Sequence, residues 1–187
     1  MRKNLLISVW MTIATTILLG IIYPLVVTGL AQLFFKDKAD GQLIGQNGKV
    51  VGSRIIGQAF TGPAYFHSRP SAAGNGYDAA NSSASNLGPT NQHLIDRLKS
   101  DVAANQVDHP QQAVPVDLVT MSGSGLDPHI SPAAAEFQIE RVARVRGIGV
   151  DDVRQLMHKH TEGRQLGFLG EARVNVLELN LDLDERF

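Results

Sequence analysis

No charged residue stands between Lys3 and Lys36. The stretch 5–35 reads LLISVWMTIATTILLGIIYPLVVTGLAQLFF, and nothing else in the chain constrains its fold as strongly. About 20 apolar residues cross a bilayer as a helix, so this run is long enough to tilt or to project past the hydrocarbon. A helix buried in a water-soluble core would be shorter and would carry a polar face. Trp10 lies near one end of the run, where an interfacial aromatic belongs, whereas Tyr23 lies inside it. Pro24 removes a backbone donor and predicts a kink, and Gly20 and Gly29 leave room for a neighbouring helix to approach. Trp10, Tyr23 and Pro24 are therefore the candidate anchor residues.

A cleaved signal peptide is the competing reading. Arg2 and Lys3 would form its basic start, and Gly29-Leu30-Ala31 is a small-x-small cleavage pattern. Its apolar region should span only about 7–15 residues, however, and here the run continues through Leu33, Phe34 and Phe35. An uncleaved anchor is expected. Lys and Arg counts on the two flanks differ only slightly, but a three-residue tail before one span predicts an N-terminus held inside and a large domain exported. The divisions expected are a tail at 1–4, a transmembrane helix at 5–35 and a soluble domain at 36–187.

The polar remainder excludes several classes of function. Taking Arg2 and Lys3 from the total leaves 15 basic against 18 acidic residues, a net of −3, with no basic stripe. Nucleic-acid binding is not expected from such a surface. With no cysteine, the chain has no disulfide, thiolate metal site or cysteine nucleophile. About 150 residues can bury a core unaided.

Asn47-Gly48 between two apolar-rich arms predicts a hairpin with a type I′ turn, its second arm a strand at 49–56. Gly48-Lys49 is not a phosphate loop, because Leu43 and Val50 stand where glycine and serine or threonine are required. Helices are predicted at 90–102, 133–146 and 151–160, the second opened by Ser131-Pro132 and closed at Gly147. The segment 101–112 reads as a polar linker. Alternation predicts strands at 114–121 and 174–183, the latter with Leu177, Leu179, Leu181 and Leu183 on one face. The fold class expected is α+β, with mixed helices and strands and no regular βαβ repeat.

Two stretches carry the candidate site. Residues 61–91 form an uncommonly long segment without periodicity, holding Tyr65, Phe66, Arg69, Pro70, Tyr77 and Asn86. Aromatics and arginine are what interface anchors are made of. The other reading is a surface loop packed by its own side chains, and the residues do not decide between them. Residues 120–132 place Ser122, Ser124, Asp127 and His129 around two glycines. A Ser–His–Asp hydrolase is the enzymatic alternative, but triads are assembled from distant segments and there is no GxSxG elbow. A tight loop capping the helix at Ser131 is the plainer account. His158 and His160 are two apart and do not share a helical face, so they are expected to complement the negative helix end. Asp182, Asp184 and Glu185 are expected to form a solvated acidic tail. No residue set supports a catalytic centre, a metal site or a directly bound cofactor.

The motifs YFHSRPSA, SNLGPTN, VPVDLVTMSGSGLDPHISPAAA, RVARVRG and LGEARVNVLELNL occur in this order. They resemble the C subunit of the Kdp high-affinity potassium-transporting ATPase of bacteria and archaea, over essentially the whole chain. The resemblance implies an accessory subunit in the bacterial inner membrane, with the domain on the periplasmic side. Its implied partners are a potassium-channel-like subunit, a P-type ATPase subunit and the lipid bilayer. Potassium and ATP are then handled by those partners. This chain lacks the DKTGT phosphorylation motif, since Asp37-Lys38 is followed by Ala39-Asp40, and it lacks a TVGYG filter. The resemblance also implies a role in assembly, and a catalytic-chaperone role that raises the ATP affinity of the hydrolysing subunit.

Overall fold

The structure is a computed structural model that describes residues 1–107 and 109–187. The chain divides into two compact units, Met1–Val51 and Gly52–Phe187.

In the first unit, α1 (Arg2–Ile17), a π-helical stretch (Leu18–Ile22) and α2 (Tyr23–Phe34) run on as one apolar helix. Its 33 residues have a peak mean hydropathy of 2.3, and none of the apolar window is buried. At about 1.5 Å per residue it is about 50 Å long, against about 30 Å of hydrocarbon. The interruption expected at Pro24 takes the form of the π stretch. The Tyr23 N–H reaches back to the Leu18 carbonyl, five residues away, just before the proline that has no N–H to give. Three hydroxyls of α1, on Ser8, Thr12 and Thr15, are satisfied inside the helix by donating to carbonyls three or four residues earlier. That is what an apolar surrounding demands of them. A single turn, α3 (Lys36–Ala39), leads to β1 (Leu43–Gln46) and β2 (Lys49–Ser53). Asn47 at φ 52° and Gly48 at φ 76° make the predicted I′ turn.

In the second unit, α4 (Gln92–Gln106) starts at the Asn91 cap and runs on through the first half of the segment expected to be a linker. The strand predicted at 114–121 is absent; a 3₁₀ turn at Val116–Leu118 stands there instead, with Leu118 buried. Pro115 sets the turn's entry, and the Thr120 N–H and hydroxyl both return to the Val116 carbonyl. A short antiparallel sheet orders β3 (His129–Ile130), β5 (Arg173–Asn175) and β4 (Thr161–Glu162) as β3-β5-β4. Against β5 pack α5 (Pro132–Arg146) and α7 (Val176–Arg186), and α6 (Val150–Lys159) packs in turn on both helices. Ser131 caps α5 by accepting from the Ala134 N–H, and Gly147 closes it at φ 70°. Ala135, Ile139 and Val142 of α5 meet Val153, Leu156 and Met157 of α6 in the core.

The long strand predicted at 174–183 is corrected to three residues of β5 followed by α7. Asn175 is the reason. Its side chain accepts from the Glu178 N–H and starts a helix. Val176, Leu179 and Leu183 then fall three and four apart and are buried, while Leu181 is only half-buried. The adjacent Val176 and Leu177 mark this strand-to-helix junction.

Candidate interaction surface

The long segment between β2 and α4 has almost no secondary structure, yet its backbone is held. Two buried amides act as strand partners for it. Asn180 of α7 accepts from the Phe66 N–H and donates to the Phe66 carbonyl, both at 2.9 Å. Gln138 of α5 accepts from the His67 N–H at 2.7 Å and donates to the His67 carbonyl at 3.1 Å. Asn180 is 1% exposed and Gln138 4%, so the bonds replace hydration that the backbone has lost. Phe66 itself is fully buried among core residues. It has no surface to offer a partner, and its expected role as an interface anchor is withdrawn. The His67 imidazole is pushed below its ordinary value by burial, which outweighs its contact with the Gly62 carbonyl.

Beyond His67 the segment is clasped to residues 120–129. The Arg69 guanidinium donates to Asp127 at 3.1 Å and to the Thr120 and Met121 carbonyls. Ser71 donates to the Gly125 carbonyl at 2.6 Å and accepts from the Ala73 and Tyr77 N–H groups. The Tyr77 hydroxyl donates to the Arg69 carbonyl, with the residue held at φ 57°, a strained setting for an aromatic. Burial raises the pKa of that phenol. Ser82 and the Ser83 N–H both donate to the Ser124 carbonyl. The fit is close: a Cβ on Gly125 would stand 2.6 Å from the Ser83 carbonyl oxygen and 2.7 Å from the Ala73 nitrogen.

Asp127 centres the clasp. Burial alone would raise its carboxyl pKa. Hydrogen bonds from His129 and Arg69 outweigh that and hold it below the ordinary range. The side chain also accepts from the His129 N–H, and the Asp127–His129 ring separation is 3.5 Å. Among the described residues, neither Ser122 nor Ser124 bonds to His129. Ser124 Oγ accepts from the Leu126 N–H instead. The hydrolase alternative is unsupported by this arrangement. A cleft of about 290 Å³ beside the clasp is lined by Arg69, Asp117, Asp127, His129, Glu171 and Arg173. Asn86 is exposed, at φ 51°, and Pro70 and Tyr65 are half-buried.

Residues not anticipated as partners hold the start of the segment. The Arg146 guanidinium lies 4.9 Å from the Tyr65 ring centroid, donates to the Ala64 carbonyl at 2.8 Å and meets Asp184 at 2.6 Å. Tyr65 donates to the same carboxylate. The acidic end is thus no solvated tail. Asp182 gathers Lys159, His160 and Arg186 within 2.8 Å, and these hydrogen bonds overcome burial to push its carboxyl far below the ordinary range. Gln138 and Asn180 did leave a trace in the sequence. Each lies at helical spacing among buried apolar residues, Gln138 between Ala134 and Val142, Asn180 between Val176 and Leu183.

A long apolar helix followed in the chain by an internally fastened domain fits the class of a membrane-complex subunit. The family model for the KdpC protein, "K+-transporting ATPase, c chain", matches residues 5–185. A potassium-transporting ATPase KdpC subunit of Koribacter versatilis is 68% identical over 184 residues, covering 98% of this chain and 95% of that one. One of Rhodospirillum rubrum is 57% identical over 93% of this chain and 91% of its own length. One of Mycobacterium tuberculosis is 53% identical over 98% and 99%. The chain belongs to the KdpC family, as its motifs indicated. It is an accessory subunit of the potassium-transporting ATPase complex and is not catalytic on its own.

Proposed function

We propose that the chain works as a single-pass anchor with a docking domain, its N-terminus cytoplasmic and its domain outside the bacterial inner membrane. It holds the potassium-channel-like subunit and the ATP-hydrolysing subunit in one complex. The observation that carries this reading is the helix Arg2–Phe34, apolar on all sides with none of its apolar window buried. Such a surface needs lipid or other transmembrane helices around it. Potassium selection and ATP hydrolysis fall to the partners. An exported domain meets cytoplasmic nucleotide nowhere, so any effect on ATP affinity passes through the span or through a partner.

Ser83 is exposed in the domain and tests the topology. In intact cells, a membrane-impermeant thiol reagent is expected to label Ser83→Cys as fast as in lysed cells. Labelling only after lysis overturns the exported orientation and restores direct nucleotide contact.

A further inference from the structure

The loop joining β4 to β5 is built unlike the clasp. Gln165 and Leu169 exchange both backbone hydrogen bonds at 2.9 Å, and the Gly167 N–H returns to the Arg164 carbonyl. Leu166 at φ 52° and Gly167 at φ 82° turn the chain between them. The tip is a small hairpin closed by its own backbone hydrogen bonds. Yet Leu166 is 82% exposed, Phe168 69% and Leu169 47%, three large apolar side chains within four residues. A bulky leucine held in the left-handed region with nothing covering it is strain and exposure without benefit to the isolated fold.

We propose that this hairpin tip is a docking knob that inserts into an apolar socket on another protein subunit of the same membrane complex, one whose rim carries both a carboxylate and a cation. The charges around the tip select this occupant. Glu162 and Arg173 in the stem are paired at 2.7 Å. Arg164 and Glu171 flank the tip, and neither side chain makes a hydrogen bond or ion pair among the described residues. The free charges are one of each sign. An anionic lipid surface recruits clusters of about 4–8 basic residues, and the flanks of this tip offer one. An apolar centre, an arginine and a polar rim of mixed sign are what a protein interface requires. This inference rests on the chain acting as an assembly subunit.

The experiment uses the full chain co-expressed with its complex. A photoactivatable benzophenone amino acid in place of Phe168 is expected to cross-link to another subunit of the purified complex. The tagged double variant Leu166→Ser/Phe168→Ser is expected to recover at least tenfold less of the partner subunits, with its own unfolding midpoint unchanged. Arg164→Glu is expected to give a smaller loss, about threefold. Cross-links confined to lipid or to the chain itself, with the complex intact, overturn the proposal, as does full recovery by the double variant. If the assembly reading itself fails, the unaltered chain brings down no partner. If only the knob fails, the unaltered chain and the double variant recover partners equally.

Discussion

The clasp around Arg69 and the knob around Phe168 are both loops by secondary structure, but their side chains meet opposite fates. In the clasp, polar and aromatic groups are spent on the chain's own backbone: Arg69 on Thr120, Met121 and Asp127, Tyr77 on the Arg69 carbonyl, Ser71 on Gly125. In the knob, the backbone satisfies itself and leaves the apolar side chains outside. Residue type alone does not mark an interface, because arginine and tyrosine are equally suited to fastening a long loop to its own domain. The informative quantity is what each group still has free once the chain has folded.

The contrast is open to attack, beginning where the largest effect is expected. Asn180→Leu removes both partners of the Phe66 backbone while leaving that backbone buried, and each buried orphan costs about 1–3 kcal/mol. A loss of about 2–5 kcal/mol in urea unfolding is expected, and a loss under 1 kcal/mol would show that the segment is not held from within. Gly125→Ala meets backbone atoms at a φ of 68° and is expected to cost about 2–3 kcal/mol by the same measurement. Arg69→Ala is expected to cost about 1–2 kcal/mol, since its partners remain partly in reach of water. Any loss of complex in that variant should follow the lost fold. Phe168→Ser is expected to stay within about 0.5 kcal/mol of the parent, as an exposed position should.

Acid sharpens the same comparison. His67 titrates below its ordinary value of 6.5 in the fold, so the folded state resists its protonation. That contribution is complete above pH 6.5 and is lost as pH falls below it. Asp127 lies below 3.8, so its contribution is held above that value and lost as pH falls further. Unfolding free energy measured from pH 8 to pH 3 should fall in two stages. His67→Gln should flatten the first, Asp127→Asn should remove part of the second, which Asp182 also drives, and Phe168→Ser should change neither.

Much of this architecture is legible in the sequence, for reasons that can be named. The charge-free run, the Asn47-Gly48 turn and the Ser131-Pro132 to Gly147 helix are local signals, and each is found where it was expected. Residues 174–183 mislead because leucines at 177, 179, 181 and 183 satisfy a two-residue period, while Asn175 quietly caps a helix in which 176, 179 and 183 form the buried face. Residues 65–77 and 122–129, expected from their residue types to meet partners, are fastened to one another. Their meeting through Asp127 and Gly125 depends on contacts about 50 residues apart in sequence, and no local pattern reports such pairing. In the sequence, residues 161–171 show only a turn punctuated by Gly163, Gly167 and Gly170. Only the positive φ at Leu166, the paired Gln165–Leu169 backbone and the exposed side chains reveal a closed apolar tip.

The central claim is that the clasp is held by the chain and the knob by a partner. Amide hydrogen exchange on the full chain in detergent, alone and within the assembled complex, tests it most directly. Protection of Phe66 and His67 is expected to be strong and equal in the two states, with Leu166 to Phe168 gaining protection only in the complex. Free exchange at Phe66 and His67 in the isolated chain, with protection appearing only on assembly, would contradict the account.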